Sequence, residues 1–262
     1  MDSPILQHAL VMDTAGQPID HSHPIHSSDW DEVQEFCRSV YMPYRVQPLE
    51  RLSIPDATMI SAKAGRVTMT RFSYGTGVYL DQFDPDAGNI LVLNTLNGSL
   101  NHHCDARPAT TGVGESFVVD CSRTEYWLEG DAHHMQLNLT IPHQVMAATA
   151  EKWFGFVPDD ALWTRRAKFG GPGSRWLSLL DYATRTISAD LPLAADGPLG
   201  RHLEEVLCLR YKVLMRDHIP QPYKSAADEA REATLAWRDA WRAARDARIQ
   251  SAILRNPHFG II

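Results

Sequence analysis

Between Ala57 and Pro142 apolar and polar residues alternate in short runs, and beyond Pro142 the apolar positions recur at three and four residues instead. The first pattern predicts strands, because successive side chains on a strand point to opposite faces; the second predicts helices. Arg66-Val67-Thr68-Met69-Thr70-Arg71-Phe72 alternates cleanly, and Tyr74-Gly75-Thr76-Gly77 turns the chain into Val78-Tyr79-Leu80. The run from Asn89 to Leu96 is a strong strand closed by Asn97-Gly98, a hairpin signal. After the turn Gly112-Val113-Gly114-Glu115 come Ser116–Asp120, Thr124–Leu128, and Met135–Ile141, which stops at Pro142. Several short strands spaced by glycine turns predict a sandwich or barrel rather than alternating βαβ units.

Helical patterns flank this region. Asp29 offers a cap, Asp31 and Glu32 suit a first turn, and Trp30, Val33, Phe36 and Val40 share a face that ends near Tyr41, ahead of Pro43. Met146, Ala150 and Trp153 mark a helix ending at Gly155, and Gly170-Gly171-Pro172-Gly173 reads as a breaker and linker. Trp176, Leu179, Leu180, Ala183 and Ile187 make a second amphipathic helix. A third, begun by Pro198 and ended before Pro220, carries Leu199, Leu203, Val206, Leu207, Tyr211 and Leu214. A last helix is predicted from Ser225 to Leu254. The expected organisation is a flexible arm over 1–28, a helix and β-barrel over 29–145, helices over 146–222 and a terminal helix over 223–262. This is an α+β chain.

Composition narrows the function. A net charge of -7 argues against a surface dominated by nucleic-acid binding, and 44% hydrophobic with 22% charged residues is ordinary for a globular protein. Cys37, Cys104, Cys121 and Cys208 are scattered, which suits reduced thiols. No basic segment followed by a long apolar run opens the chain, and no apolar stretch is long enough to span a bilayer. The expectation is a cytoplasmic protein with no membrane partner.

The order Tyr74-Gly75 before Val78, Leu91-Val92-Leu93 into Gly98, Gly114-Glu115-Ser116-Phe117-Val118-Val119-Asp120, and Leu137-Asn138-Leu139-Thr140-Ile141-Pro142 resembles the N-terminal sensor domain of AraC/XylS-type transcription regulators. The resemblance runs from about Asp29 to His218. It implies a cupin-like (jelly-roll) β-barrel holding a small organic effector, followed by a helical dimerisation region that forms a homodimer. For the dimer contact the candidates are Leu179, Leu180, Leu203, Val206, Leu207 and Leu214. It further implies two helix-turn-helix units, but Pro222 to Ile262 is too short for both, so DNA contact by this chain is not expected. The expectation is a truncated regulator able to form heterodimers with a full-length relative. Ala-Trp-Arg at 236–238, copied at 240–242, also fits a shifted reading frame after His218.

For an organic ligand the candidate pocket residues are Tyr79, Asn94, Leu96, Phe117, Tyr126 and Trp127, each on a predicted strand; core packing is the alternative reading of the apolar ones. Which of them face inward is left open, because a one-residue register change reverses every side chain. His102-His103 and His133-His134 raise a metal-dependent cupin enzyme as the alternative, with Glu115 or Asp120 as carboxylate. Adjacent histidines on a strand point to opposite faces and the H-x-H spacing of cupin enzymes is missing, so no metal, cofactor or catalytic residue is expected. A stand-alone interaction module is a third reading. His21, His23 and His26 belong to the arm, and Arg238, Arg242 and Arg245 beside Asp239 and Asp246 read as a solvated helix face. Nucleophile-elbow, phosphate-loop and zinc-protease motifs are absent from the sequence.

Overall fold

The structure, a computed structural model, describes residues 6–21, 23–104, 108–154, 157, 166–189 and 191–215. The helix expected from Ser225 to Leu254, with Trp237 and Trp241, lies outside the described residues.

Among the described residues the strands form two antiparallel sheets. One is ordered β1 (His26–Ser27), β3 (Ala57–Ala64), β4 (Val67–Ser73), β11 (Met135–Pro142), β6 (Asn89–Asn97), β9 (Glu115–Asp120) and β12 (Ala167–Gly170). The other is ordered β2 (Arg45–Pro48), β5 (Val78–Asp81), β10 (Trp127–Gly130), β7 (Leu100–His103) and β8 (Ala109–Thr111). Together they make the jelly-roll sandwich, and helices cover the outer face of the larger sheet.

That larger sheet is buried on both faces, and alternation along each strand divides its residues between two cores. Leu137, Leu139 and Ile141 of β11, Val67 and Met69 of β4, and Ile90 and Val92 of β6 face the helices. Phe72 of β4, Leu91 and Leu93 of β6, and Phe117 and Val119 of β9 face the smaller sheet. The helical layer consists of α2 (His143–Phe154), α3 (Arg175–Ala189), α4 (Leu191–Asp196) and α5 (Pro198–Met215). From α3, Trp176, Leu180, Ala183 and Ile187 enter the outer core, joined by Leu203 and Leu207 of α5. A buried carboxylate locks α5 to the β3–β4 turn: Glu204 accepts from the Arg66 backbone N–H at 2.7 Å and from its guanidinium Nη2 at 2.7 Å.

Helix α1 (Trp30–Val40) starts where expected, with Asp29 as cap: its carboxylate accepts from the Asp31 N–H at 2.7 Å. Three expectations differ from the structure. The arm is packed rather than flexible from Leu6 onward, because Leu6, Ala9 and Leu10 enter the outer core and His21 bonds the Leu10 carbonyl at 2.9 Å. The stretch expected to be helical over 146–222 contains a strand, since β12 pairs with β9 from Ala167 to Gly170. Finally, Leu180, Leu203 and Leu207 are fully buried inside their own chain, so they fasten the helices to the sheet rather than meeting a second copy. Leu179 and Val206 are half-buried, and the Leu214 side chain lies outside the described residues.

Candidate functional site

The space between the sheets is unusual for a protein core. Alongside the apolar residues, β4 points Thr68 and Thr70 inward and β11 points Gln136, Asn138 and Thr140 inward, all buried. Register sets Thr70 beside Asn138 and Thr68 beside Thr140, so the polar side chains form a patch across two neighbouring strands. A cavity of about 30 Å³ lies against this patch, walled by Tyr41, Tyr44, Phe72, Tyr74, Leu80, Phe83, Leu91, Leu93 and Leu128 with Gln136 and Asn138. That is room for about one water molecule.

Hydrogen bonds tie some of these groups together. Asn138 Nδ2 donates to the Tyr41 hydroxyl at 3.0 Å, and the Tyr44 and Tyr74 hydroxyls share a bond of 2.5 Å. Asn138 Oδ1 and Thr140 Oγ1 are buried and have no hydrogen-bond partner among the described residues. Burial pushes the phenols of Tyr41, Tyr44, Tyr74 and Tyr126 up, and the Cys37 thiol up to about 12, so all stay neutral near neutrality. None of the side chains lining the cavity is charged. The site offers neutral donors and acceptors between aromatic walls.

Two aromatic residues connect the cavity with the surface. Tyr44 and Phe83 are half-buried, their rings 5.2 Å apart, and Phe83 is 5.5 Å from Tyr126. The two loops that carry them are joined by the Asp84 N–H, which donates to the Pro43 carbonyl at 2.9 Å. Gln82, next to Phe83, holds a left-handed backbone with φ 52°, an unfavourable conformation for a residue with a side chain.

Of the six pocket candidates, the structure places Phe117 and Tyr126 in the interior core, with ring centroids 6.1 Å apart. Asn94 and Leu96 face the helices: Asn94 Oδ1 accepts from Trp176 Nε1 and from Ser116 Oγ, both at 2.7 Å, and Leu96 packs on the outer core. Tyr79 and Trp127 are half-buried, outside the interior core, and Trp127 stacks on His103 at 5.5 Å. The cavity-lining residues Tyr41, Tyr44, Tyr74, Gln136 and Asn138 were not among the candidates. The alternation of Gln136, Asn138 and Thr140 with Leu137, Leu139 and Ile141 was the available signal, but polar residues on such a strand ordinarily face solvent.

The four histidines do not converge. His102 is buried, with Nδ1 bonded to the Tyr126 hydroxyl at 2.7 Å and Nε2 to Thr111 Oγ1 at 2.9 Å, so neither ring nitrogen is free for a metal. Burial holds its pKa down to about 3. His103 points outward and His133 is exposed. His134 is buried with its Nδ1 on the Asp131 carbonyl, and burial lowers its pKa too. Among the described residues no group of three or more His, Cys, Asp or Glu is placed to hold a metal ion. The residues present do not fit the cupin metal site.

The sequence model of the AraC-binding-like domain matches residues 33–209. The chain belongs to that family. Among solved structures, the AraC-binding-like chain is similar to the AraC-like transcriptional activator CuxR, at 13% identity and a TM-score of 0.46, over 70% of this chain and 65% of CuxR. It is also similar to apo ToxT from Vibrio cholerae, at 7% identity and a TM-score of 0.40, over 62% of this chain and 56% of ToxT. A cupin superfamily protein from Desulfitobacterium hafniense matches 37% of this chain over 98% of its own, at 14% identity and a TM-score of 0.27. The AraC-binding-like chain thus spans less than two thirds of either regulator. No curated protein matches it.

Proposed function

We propose that the chain is the effector-sensing part of a transcription regulator, and that its effector is a small neutral organic molecule bound between the sheets at the Tyr41–Tyr74–Asn138 cavity. The observation that carries this reading is the patch of buried, uncharged polar side chains, including Asn138 Oδ1 and Thr140 Oγ1 without hydrogen-bond partners, within a chain of the AraC-binding-like family. An unmade buried hydrogen bond costs on the order of 1–3 kcal/mol, which a ligand that makes it recovers. A charged ligand would enter a site with no counter-charge. At about 30 Å³ the cavity is too small for such a molecule, since ligand sites hold roughly 300–1,000 Å³, so binding requires Tyr44 and Phe83 to swing outward.

Thermal denaturation of the full chain against a panel of phenols, sugars and amides tests this reading. A neutral compound raises the midpoint, as any ligand selective for the native state must, and Asn138→Leu removes the rise. A rise of equal size in Asn138→Leu, or one produced through Asn138 by charged compounds alone, overturns it.

The same reading pairs two copies through the helical layer, using residues left at its surface. Tyr182 of α3 is 46% exposed and Leu179 is half-buried, an apolar rim at the surface of the described residues. Sedimentation should find a dimer for the native chain and a monomer for Tyr182→Glu; a native monomer at tens of micromolar would sink the pairing.

A further inference from the structure

A cavity of about 430 Å³ lies on the other face of the larger sheet, among the start of the described chain, the end of β6, the β8–β9 turn and the first turn of α3. Its walls include Leu6, Leu96, Val113 and Leu177 with the polar Gln7, Thr95 and Asn97, and its charged member is Arg71. Position sets Arg71 there: it is one residue before inward-facing Phe72, so it shares the helix-facing side with Val67 and Met69. That side of the sheet is otherwise mostly apolar, its buried polar residues Asn94 and Ser116 being hydrogen-bonded to each other.

Other arginines of this structure sit beside carboxylates: Arg45 on Asp81, Arg66 on Glu204, Arg38 on Glu35 and Arg185 on Asp181. Arg71 is half-buried, and what it bonds among the described residues is the Leu6 carbonyl, from Nη1 at 3.1 Å. One neutral acceptor leaves most of the five guanidinium donors, and the charge, without a partner among the described residues. Burial pushes the Arg71 pKa down from its ordinary value, the direction expected of a cation without a counter-ion, yet a guanidinium stays protonated. A half-buried cation with no carboxylate partner among the described residues, in a partly apolar cavity of ligand size, is costly for the protein alone, and an anion seated there offsets the cost.

We propose that this cavity binds a small aliphatic monocarboxylate, with the carboxylate bidentate on Arg71 and the chain lying along Leu6, Leu96 and Leu177. Arginine matches a carboxylate with two parallel N–H donors, which sets the head group. The leucine walls and Val113, 42% exposed at the rim, set an aliphatic body rather than a bare anion. The site is independent of the interior cavity, from which the sheet separates it. A bound carboxylate would join the N-terminal segment at Leu6 to α3 at Leu177.

Calorimetric titration of the full chain at neutral pH with octanoate, octanamide and acetate tests the proposal. Octanoate is expected to bind with both octanamide and acetate weaker by about tenfold or more, and Arg71→Met to weaken octanoate by a similar factor. Val113→Trp, at the exposed rim, narrows the cavity without touching the core and is expected to weaken octanoate too. Octanoate affinity unchanged in both variants, octanamide binding as well as octanoate, or no saturable octanoate binding to the native chain would each overturn it. Should Arg71→Met fail to fold, Val113→Trp and the octanamide comparison decide.

Discussion

His102 shows what the interior asks of a single side chain. Its imidazole is stacked on Phe117 at 4.1 Å and bonded at both nitrogens, and burial holds its pKa down to about 3 from the ordinary 6.5. His134, also buried, is shifted in the same direction. A base whose pKa is lower folded than unfolded leaves the unfolded chain with more bound protons between the two values, so stability is complete above about pH 6.5 and is lost as pH falls toward the folded pKa. The melting temperature should therefore fall steeply from pH 7 to pH 4.5, and His102→Gln, which keeps an uncharged hydrogen-bonding side chain, should flatten much of that slope. Equal slopes for the two proteins would show that His102 is not the group being titrated. Residue chemistry of this kind was only partly legible beforehand. Of each adjacent histidine pair one had to face away, and His102 and His103 do so, but strand alternation alone did not say which is buried. Phe117 and Tyr126 are inside, whereas Asn94 and Leu96 are on the helix side, and no polarity pattern separates them because both faces of β6 are buried.

At the scale of elements, legibility followed the strength of local signals. α1 was readable because Asp29 caps it and Trp30, Val33, Phe36 and Val40 recur with helical spacing, although the residues it buries fully are Val33 and Cys37. The strands around Leu91, Phe117 and Leu137 were readable because each is a long β-branched or leucine-rich run bounded by a turn. β2, β8 and β12 were not, since each has four residues or fewer and is defined by the strand it pairs with rather than by its own composition. β12 is the instructive case. Ala167-Lys168-Phe169-Gly170 has no strong pattern, but Phe169 packs against Trp176 at 5.5 Å and Lys168 pairs with Glu115 at 2.7 Å across the strand pair. The packed N-terminal segment escaped notice for a similar reason. Leu6, Ala9 and Leu10 share a face at three and four spacing, but over a single turn, too short a run to predict an element, and their burial is a property of the groove between sheet and helices.

For the molecule as a whole, the larger sheet is the common wall of two cores, and this has a mechanical consequence. Asn94, on the outer face, holds Trp176 of α3 and also donates to the Leu137 carbonyl at 2.5 Å, while its neighbour Leu93 lines the interior cavity. Side chains of one strand thus take part in both cores, and interiors packed at crystal-like density do not let one face relax without the other. The helical layer and the smaller sheet should then unfold together rather than as separate units. Leu180→Ala, in the centre of the outer core, is expected to cost about 2–5 kcal/mol from lost burial and the cavity left behind. Hydrogen exchange followed by mass spectrometry across a urea series can read that cost in two places, at amides of α3 beside the substitution and at amides of β10 on the far sheet. Coupled cores predict the same loss of protection in both peptides. A loss confined to α3, with β10 unchanged, would make the helices a detachable layer. The sheet could not then carry a change in the interior cavity to the helices.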